Sequence, residues 1–115
     1  RLSQLQAAPG EQIEVWLEWR KRSSGGLDYA VYLHLVDADG VTLRGQMDGT
    51  PEHLGRVLPT NFWGVDTPIY DHHRLPIFAD APPGRYALRL GWYERQTFAR
   101  LSVTPGMGNR RRMGW

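Results

Sequence analysis

Residues 81–93, APPGRYALRLGWY, combine a tight turn with a long strand. Pro83-Gly84 fits the centre of a type II turn, because proline presets the first φ angle and glycine supplies the positive second one. After the turn, large apolar side chains alternate with polar or small ones from Arg85 to Tyr93. This period of two indicates a half-buried strand whose apolar face must pack against a second sheet.

The same alternation recurs along the rest of the chain, between turn and loop sequences. It predicts further strands over residues 11–20, 28–37, 41–47, 69–78 and 97–103, and residues 1–7 could add a short edge strand. The strand at 28–37 is apolar on both faces, which is typical of the middle of a sheet. Asp39-Gly40 after it predicts a hairpin turn. The pattern favours an all-β, immunoglobulin- or fibronectin-like antiparallel β-sandwich of about seven strands, with a jelly roll as the alternative topology.

The chain of 115 residues has the length of one domain with a real core. We assign residues 1–104 to the sandwich and residues 105–115 to an irregular basic tail. Residues 48–68 show no periodicity, and so long a connection in a compact domain is often functional. The chain has 0 Cys, which excludes disulfides and thiolate chemistry, and no apolar run long enough to span a bilayer. Since it begins with Arg1 and not with Met, we expect a piece of a longer or processed protein.

The charge pattern does not predict a nucleic-acid partner. The net charge is +2, and the arginine-rich composition does not by itself gather charge on one face. Two basic runs stand out, residues 20–22 and the triplet Arg110, Arg111 and Arg112. We interpret each as a solvated loop or tail, with contact to anionic lipid headgroups or to an acidic subunit as the functional alternative.

The sequence offers little material for catalysis or for metal binding. No serine lies in a Gly-x-Ser-x-Gly elbow. Asp71 and His72 could form a metal site together with His53, but His72 and His73 point to opposite faces of a strand and cannot easily share one ion. Because adjacent residues of a strand point to opposite faces, we also consider a His–Asp catalytic pair unfavourable. We therefore predict no catalytic residue, no metal and no cofactor.

Aromatic side chains are the best functional lead in the sequence. Trp16 is predicted to point away from the core, and Phe62 and Trp63 lie in the segment without periodicity. Together with Tyr70 and Tyr93, these rings could stack on sugars or anchor a protein partner. The alternative is packing, in which Trp63 plugs one end of the sandwich and Trp16 lies under a neighbouring strand.

Several short motifs follow one another over about residues 9–103. They are PGE at 9–11, VxLxW at 15–19, YxVxLHLVDxDG at 29–40, QxDxxP at 46–51, PTxxW at 59–63, YD at 70–71 and PPGxYxLxLGxY at 82–93. The set resembles the small β-sandwich domain on the C-terminal side of multi-pass bacterial membrane glycosyltransferase-like proteins of the dolichyl-phosphate-mannose mannosyltransferase type.

The resemblance implies an accessory module on the extracytoplasmic side of a bacterial membrane, periplasmic or at the cell surface. In such proteins the catalytic carboxylates belong to the membrane part, so none is carried over to these residues. We expect a non-catalytic accessory or interaction module of a larger membrane-associated protein or assembly. Its partner would be a protein or a flanking membrane domain, and its basic tail could touch the membrane surface. The alternative is a carbohydrate-binding module that uses exposed Trp and Tyr residues.

Overall fold

The computed structural model describes residues 1–3, 6–23 and 26–101 and the backbone of residues 112–114. These residues form one short 3-10 helical turn and nine strands: β1 (Gln12–Trp19), β2 (Tyr29–Val36), β3 (Leu43–Gly49), β4 (Glu52–His53), β5 (Arg56–Val57), β6 (Ile69–Pro76), β7 (Arg85–Glu94), β8 (Arg100–Leu101) and β9 (Arg112–Gly114). The helical turn is Thr60–Phe62. Within this part of the chain, no helix is long and apolar enough to cross a membrane.

The strands form two antiparallel layers that face each other across one core. β1 pairs with β6 in one layer, and the other layer has the order β3-β2-β7-β8, with β9 also paired to β7. β4 and β5 form a separate small hairpin. The predicted all-β sandwich is therefore confirmed, and β2 lies inside its sheet as its two apolar faces indicated. The strand count is higher than predicted because four of the strands are only two or three residues long.

The core is built from apolar side chains that alternate along the strands. Ile13 and Val15 of β1 and Leu75 of β6 pack against Leu33 and Leu35 of β2. All five are fully buried. Burial of each such side chain stabilises the fold by about 1.5–3 kcal/mol relative to exposure. These contacts fix which faces of the two layers meet.

The sheet order and one side-chain contact indicate an immunoglobulin-type topology. β1 and β6 correspond to strands B and E of that fold, β2, β7 and β8 to strands C, F and G, and β3 to C′. The hydroxyl of Tyr86, at the start of β7, donates a hydrogen bond to the carbonyl oxygen of Pro82. This is the tyrosine corner of immunoglobulin-like sandwiches. Burial is the main cause that raises the pKa of Tyr86, and the negative charge of Asp37 adds to it.

The hairpin predicted at Asp39-Gly40 connects β2 to β3. The Asp39 carboxylate accepts hydrogen bonds from the backbone N–H groups of Val41 and Thr42 and from the Thr42 hydroxyl. These bonds lower the pKa of Asp39 to about 2, and the bond from the Thr42 hydroxyl has the largest effect. The turn therefore keeps an ionised carboxylate at neutral pH.

The strand directions place the connections at two ends of the sandwich. Residues 20–28, 50–68 and 95–99 leave from one end, which we call the loop end, and residues 37–42 and 77–84 turn at the opposite end. In immunoglobulin variable domains, the connections that leave this same end are the binding loops.

Two expectations about local structure need correction. Residues 48–68 are not irregular throughout, since they contain the end of β3, the β4–β5 hairpin and the helical turn. The strand expected at 97–103 is β8, which covers only Arg100–Leu101 of the described residues. Of residues 105–115, only the backbone of residues 112–114 is described, and it pairs with the beginning of β7, so the irregular tail stays a prediction. Near the N-terminus, Leu2 forms an isolated bridge with Val15, and residues 4–5 of the possible edge strand lie outside the described residues.

Gly45 offers a test of how the two layers are joined. It bridges to Ile77, and a Cβ at this position would lie 2.7 Å from the carbonyl oxygen of Pro76. Gly45→Ala should therefore lower the free energy of unfolding by about 1–3 kcal/mol, through overpacking against backbone. Gly49→Ala on the same strand is the control, because its Cβ would meet only Met47 Sδ at 3.6 Å. Equal midpoints of urea denaturation for both variants would contradict this account of the junction.

Candidate functional site: the loop end

Three tryptophans form the floor of the loop end. Trp92 of β7 contacts Trp19 and Trp63 edge-to-face, with ring centroids 4.8 and 5.5 Å away. Such pairs contribute about 0.5–1.5 kcal/mol each beyond the area they bury. Trp63 is only 9% exposed, and its Nε1 donates to the carbonyl oxygen of Leu58 at 2.9 Å. Trp63 therefore plugs this end of the sandwich, as the packing alternative predicted, and its ring is not a binding platform.

A buried carboxylate supports this floor from below. Asp71 of β6 is 1% exposed. It accepts hydrogen bonds from Trp19 Nε1 at 3.0 Å and from the backbone N–H of Glu52 at 2.8 Å, and His73 Nε2 lies 2.7 Å from it. A buried carboxylate is costly unless it is bonded in this way. Because Glu52 begins β4, the Asp71 carboxylate also holds the β4–β5 hairpin against β6.

The Asp71–His73 pair corrects one argument made from the sequence. Residues two apart on a strand share a face, so Asp71 and His73 lie together, while His72 points outward to within 3.4 Å of Glu14. The opposite-face argument holds for the two histidines but not for Asp71 and His73. Both members of the pair are buried, and we interpret it as structural. Among the described residues, no group of three or more His, Asp or Glu side chains could hold a metal ion.

Two side chains tie the three loops into one connected surface. The buried Thr60 donates its hydroxyl to the carbonyl oxygen of Leu27 at 3.0 Å, which joins the second loop to the first. Arg95 of the third loop forms an ion pair with Asp28 at 3.1 Å and donates to the Thr50 hydroxyl at 2.5 Å. Arg95 therefore contacts both other loops, and the three loops cannot move independently without breaking these bonds.

The third loop is held in shape by the last residue of β7. The carboxylate of Glu94 accepts hydrogen bonds from the backbone N–H groups of Thr97 and Gln96, at 2.7 and 3.0 Å. These bonds lower the pKa of Glu94, and the bond from Thr97 has the largest effect. The carboxylate thereby orients the turn that carries Phe98, whose ring stacks on Tyr93 at 5.9 Å.

Exposed apolar side chains are concentrated at the loop end. Of the ten large apolar side chains exposed within the described residues, six lie in the three loops: Leu27, Leu54, Val57, Phe62, Val65 and Phe98. Tyr70 begins β6 at the same end, whereas Val41 and Phe78 lie at the opposite end. Clusters of exposed apolar residues are a common feature of interaction sites, so the loop end is the candidate functional surface.

Two of these six residues also have an unusual backbone conformation. Leu54 has φ 51° and Phe98 has φ 61°, in the left-handed region. A bulky residue there costs roughly 1–2 kcal/mol. Leu54 and Gly55 form the two-residue turn between β4 and β5, where asparagine before glycine is the favoured pair. Leu54 is also 74% exposed, so neither local backbone preference nor burial explains a leucine at this position.

Besides the buried Trp63, the structure brings three of the predicted site residues to this end. Phe62 is exposed on the helical turn, and Tyr70 is exposed at the start of β6 with its ring stacked on His53. Tyr93 is half-buried near the end of β7, and its hydroxyl donates to Asp48 Oδ2 at 3.4 Å. Burial is the main cause that raises the pKa of Tyr93, and the negative charge of Asp48 adds to it.

The other predicted site residues lie elsewhere. Trp16 points away from the core, as predicted, but it is half-buried on the outer face of β1. Its ring stacks on His72 at 4.9 Å, and the Arg1 guanidinium lies 4.4 Å from the ring centroid. Arg110 and Arg111 lie outside the described residues, and Arg112 begins β9 at the end opposite the loops.

Comparison of the chain with protein-family models, with curated proteins and with solved structures found no match. The resemblance to glycosyltransferase-associated domains stays a prediction. The functional argument therefore rests on the surface that the fold presents.

Leu54 provides a direct test of whether the loop end is optimised for something other than stability. Leu54→Asn should raise the free energy of unfolding by about 0.5–1 kcal/mol, because asparagine tolerates the left-handed conformation that leucine resists. Urea denaturation measures the change. Val41→Asn is the control, since Val41 is 80% exposed but has no positive φ. An unchanged or lowered stability of Leu54→Asn would argue against strain at this turn.

Proposed function

We propose that this chain is a non-catalytic binding module of a larger membrane-associated protein or assembly, and that the loop end is its contact surface. The observation that carries the proposal is the set of six exposed apolar side chains in three bonded loops. Apolar area left in water costs roughly 25 cal/mol per Å², and a bound partner would recover that energy. The connected loops would also lose little conformational entropy on binding.

The polar groups of the loop end support a binding role over a catalytic one. Thr60, Arg95 and Asp71 are each hydrogen-bonded to other parts of the protein and hold the surface together. A catalytic site would instead need titratable groups that converge on a cavity which substrate can enter. One cavity of the described residues, of about 220 Å³, lies at the opposite end beside Val36 and Arg85.

The setting of the module follows from the sequence motifs alone. The resemblance to accessory domains of membrane glycosyltransferase-like proteins supports a position on the extracytoplasmic side of a bacterial membrane. A flanking membrane domain or a protein partner is then the expected neighbour of the module. This part of the proposal is independent of the surface argument.

Photo-crosslinking in the cells that produce the protein tests the contact surface. A benzophenone amino acid in place of Phe62, which is 70% exposed at the loop end, should give a discrete adduct on irradiation. The same probe at Val41, which is at least as exposed but lies at the opposite end, should give none. No adduct with either protein or lipid at Phe62, or equal yields at both positions, would reject the loop end as the contact surface.

A glycan-binding role is the second candidate, and Tyr70 is the observation in its favour. Its ring is exposed and stacked in parallel on His53, at 5.8 Å and 20°, which is the kind of platform that sugar rings use. If glycans bind here, Tyr70→Ala should weaken binding by about tenfold or more in a tryptophan-fluorescence titration with oligosaccharides, whereas Tyr70→Phe keeps the ring and the affinity. Saturable binding that is unaffected by Tyr70→Ala would exclude this platform.

A further inference from the structure

We propose that the loop end docks on the surface of an anionic lipid bilayer, with its apolar turn residues in the interfacial region and its arginines at the headgroups. The inference rests on the proposed function, because it names the class of partner for the same surface. The apolar side chains, their position on turns and the surrounding charges each contribute to the argument.

The three most exposed apolar side chains of the loop end lie on turns and not on the face of a sheet. Leu54 is at the tip of the β4–β5 hairpin, Phe62 is on the helical turn, and Phe98 is on the turn after β7. All three are at least 70% exposed. A protein partner would need a matching pocket for each side chain. A lipid interface deforms around each of them, so it requires no shape complementarity.

The residue types also favour lipid over protein. Protein-binding hot spots are enriched in tryptophan, tyrosine and arginine, while leucine and valine are under-represented. At the loop end, Trp63 is used for packing, and leucine, valine and phenylalanine are the residues that project outward. These are the side chains that partition into the apolar part of a membrane interface.

The charges around the apolar tips complement an anionic surface. Residues 20–28, 50–68 and 95–99 contain five basic residues and three acidic ones. Arg22 and Arg56 are exposed, and the third exposed arginine, Arg20, has only a solvent-exposed ion pair with Glu18 at 3.7 Å. Such a pair is weak and leaves the guanidinium available for headgroups.

The acidic residues of the loop end reduce this attraction only in part. Asp28 is ion-paired with Arg95, and Glu52 is half-buried at the start of β4. Asp66 is exposed. Apolar insertion and headgroup attraction are each too weak alone, but together they give reversible, salt-sensitive membrane binding.

Vesicle flotation with the full chain tests the inference. The protein should float with vesicles of phosphatidylcholine mixed with phosphatidylglycerol, much less with phosphatidylcholine alone, and the bound fraction should fall as salt is added. Leu54→Asn and Phe62→Ser should each weaken binding by about tenfold, since one large apolar side chain is removed from the interface. Arg56→Gln should weaken binding to the anionic vesicles and leave binding to the phosphatidylcholine vesicles unchanged.

Two further variants separate the loop end from other sources of binding. Val41→Ser removes an equally exposed apolar side chain beside the ionised Asp39, and it should bind as the unchanged protein does. A variant with Arg110, Arg111 and Arg112 all changed to glutamine should keep the dependence on Leu54. Loss of all binding in that variant would assign the membrane contact to the tail and overturn the inference.

The remaining outcomes distinguish this inference from the function it rests on. Absence of binding to any vesicle overturns the lipid inference, and a protein adduct from the Phe62 photoprobe would then leave the binding module intact. Because Leu54→Asn is expected to be more stable than the unchanged protein, its loss of binding cannot be attributed to unfolding. Equal losses in Leu54→Asn and Val41→Ser would likewise overturn the inference.

Discussion

The buried carboxylate of Asp71 links the core of the sandwich to its exposed loops. Its three partners come from three different strands, β1 through Trp19, β4 through Glu52 and β6 itself through His73. An ionised group in this position costs several kcal/mol unless its hydrogen bonds are complete. The folded chain must therefore keep Trp19 and Glu52 in place, and with them the tryptophan floor and a hairpin whose strands are only two residues long. A hairpin that short would not be stable by itself.

The Asp71 carboxylate also makes the edge of β6 a less favourable place for a partner. β6 is an edge strand of the two-stranded layer, and edge strands are natural sites for pairing with another chain. Asp71 and His73 point inward from this edge and are already bonded to each other. Inward-pointing polar residues are one of the devices by which proteins disfavour edge pairing. The edge of β6 is therefore disfavoured as a pairing site, whereas the loop end carries most of the exposed apolar side chains.

The sequence predicted the part of the fold that local alternation determines. Period-two patterns identified β1, β2, β6 and β7, the inward faces of β1 and β7, and the central position of β2, because burial of one face is a local property of a strand. The loop end was predicted poorly because its contacts are long-range. Nothing near Asp71 in sequence indicates that Trp19 and Glu52 would meet its carboxylate. Leu54 was missed because leucine is a poor residue for a hairpin turn, so the usual turn signal is absent.

Phe62 and Trp63 show how two adjacent aromatic residues come to have opposite roles. Both lie where the chain leaves the helical turn, and no sequence periodicity distinguishes them. Their packing distinguishes them. Trp63 contacts Trp92 and donates its indole N–H to a carbonyl oxygen. Phe62 has no polar group that needs a hydrogen-bond partner, and it remains exposed. The buried tryptophan fixes the turn, and the fixed turn determines where the phenylalanine projects. At the loop end, Trp63, Thr60 and Arg95 hold the loops together, while six large apolar side chains remain exposed beside exposed arginines. The bonds between the loops keep these apolar side chains in place, and this exposed apolar surface is the reason to look for the partner there.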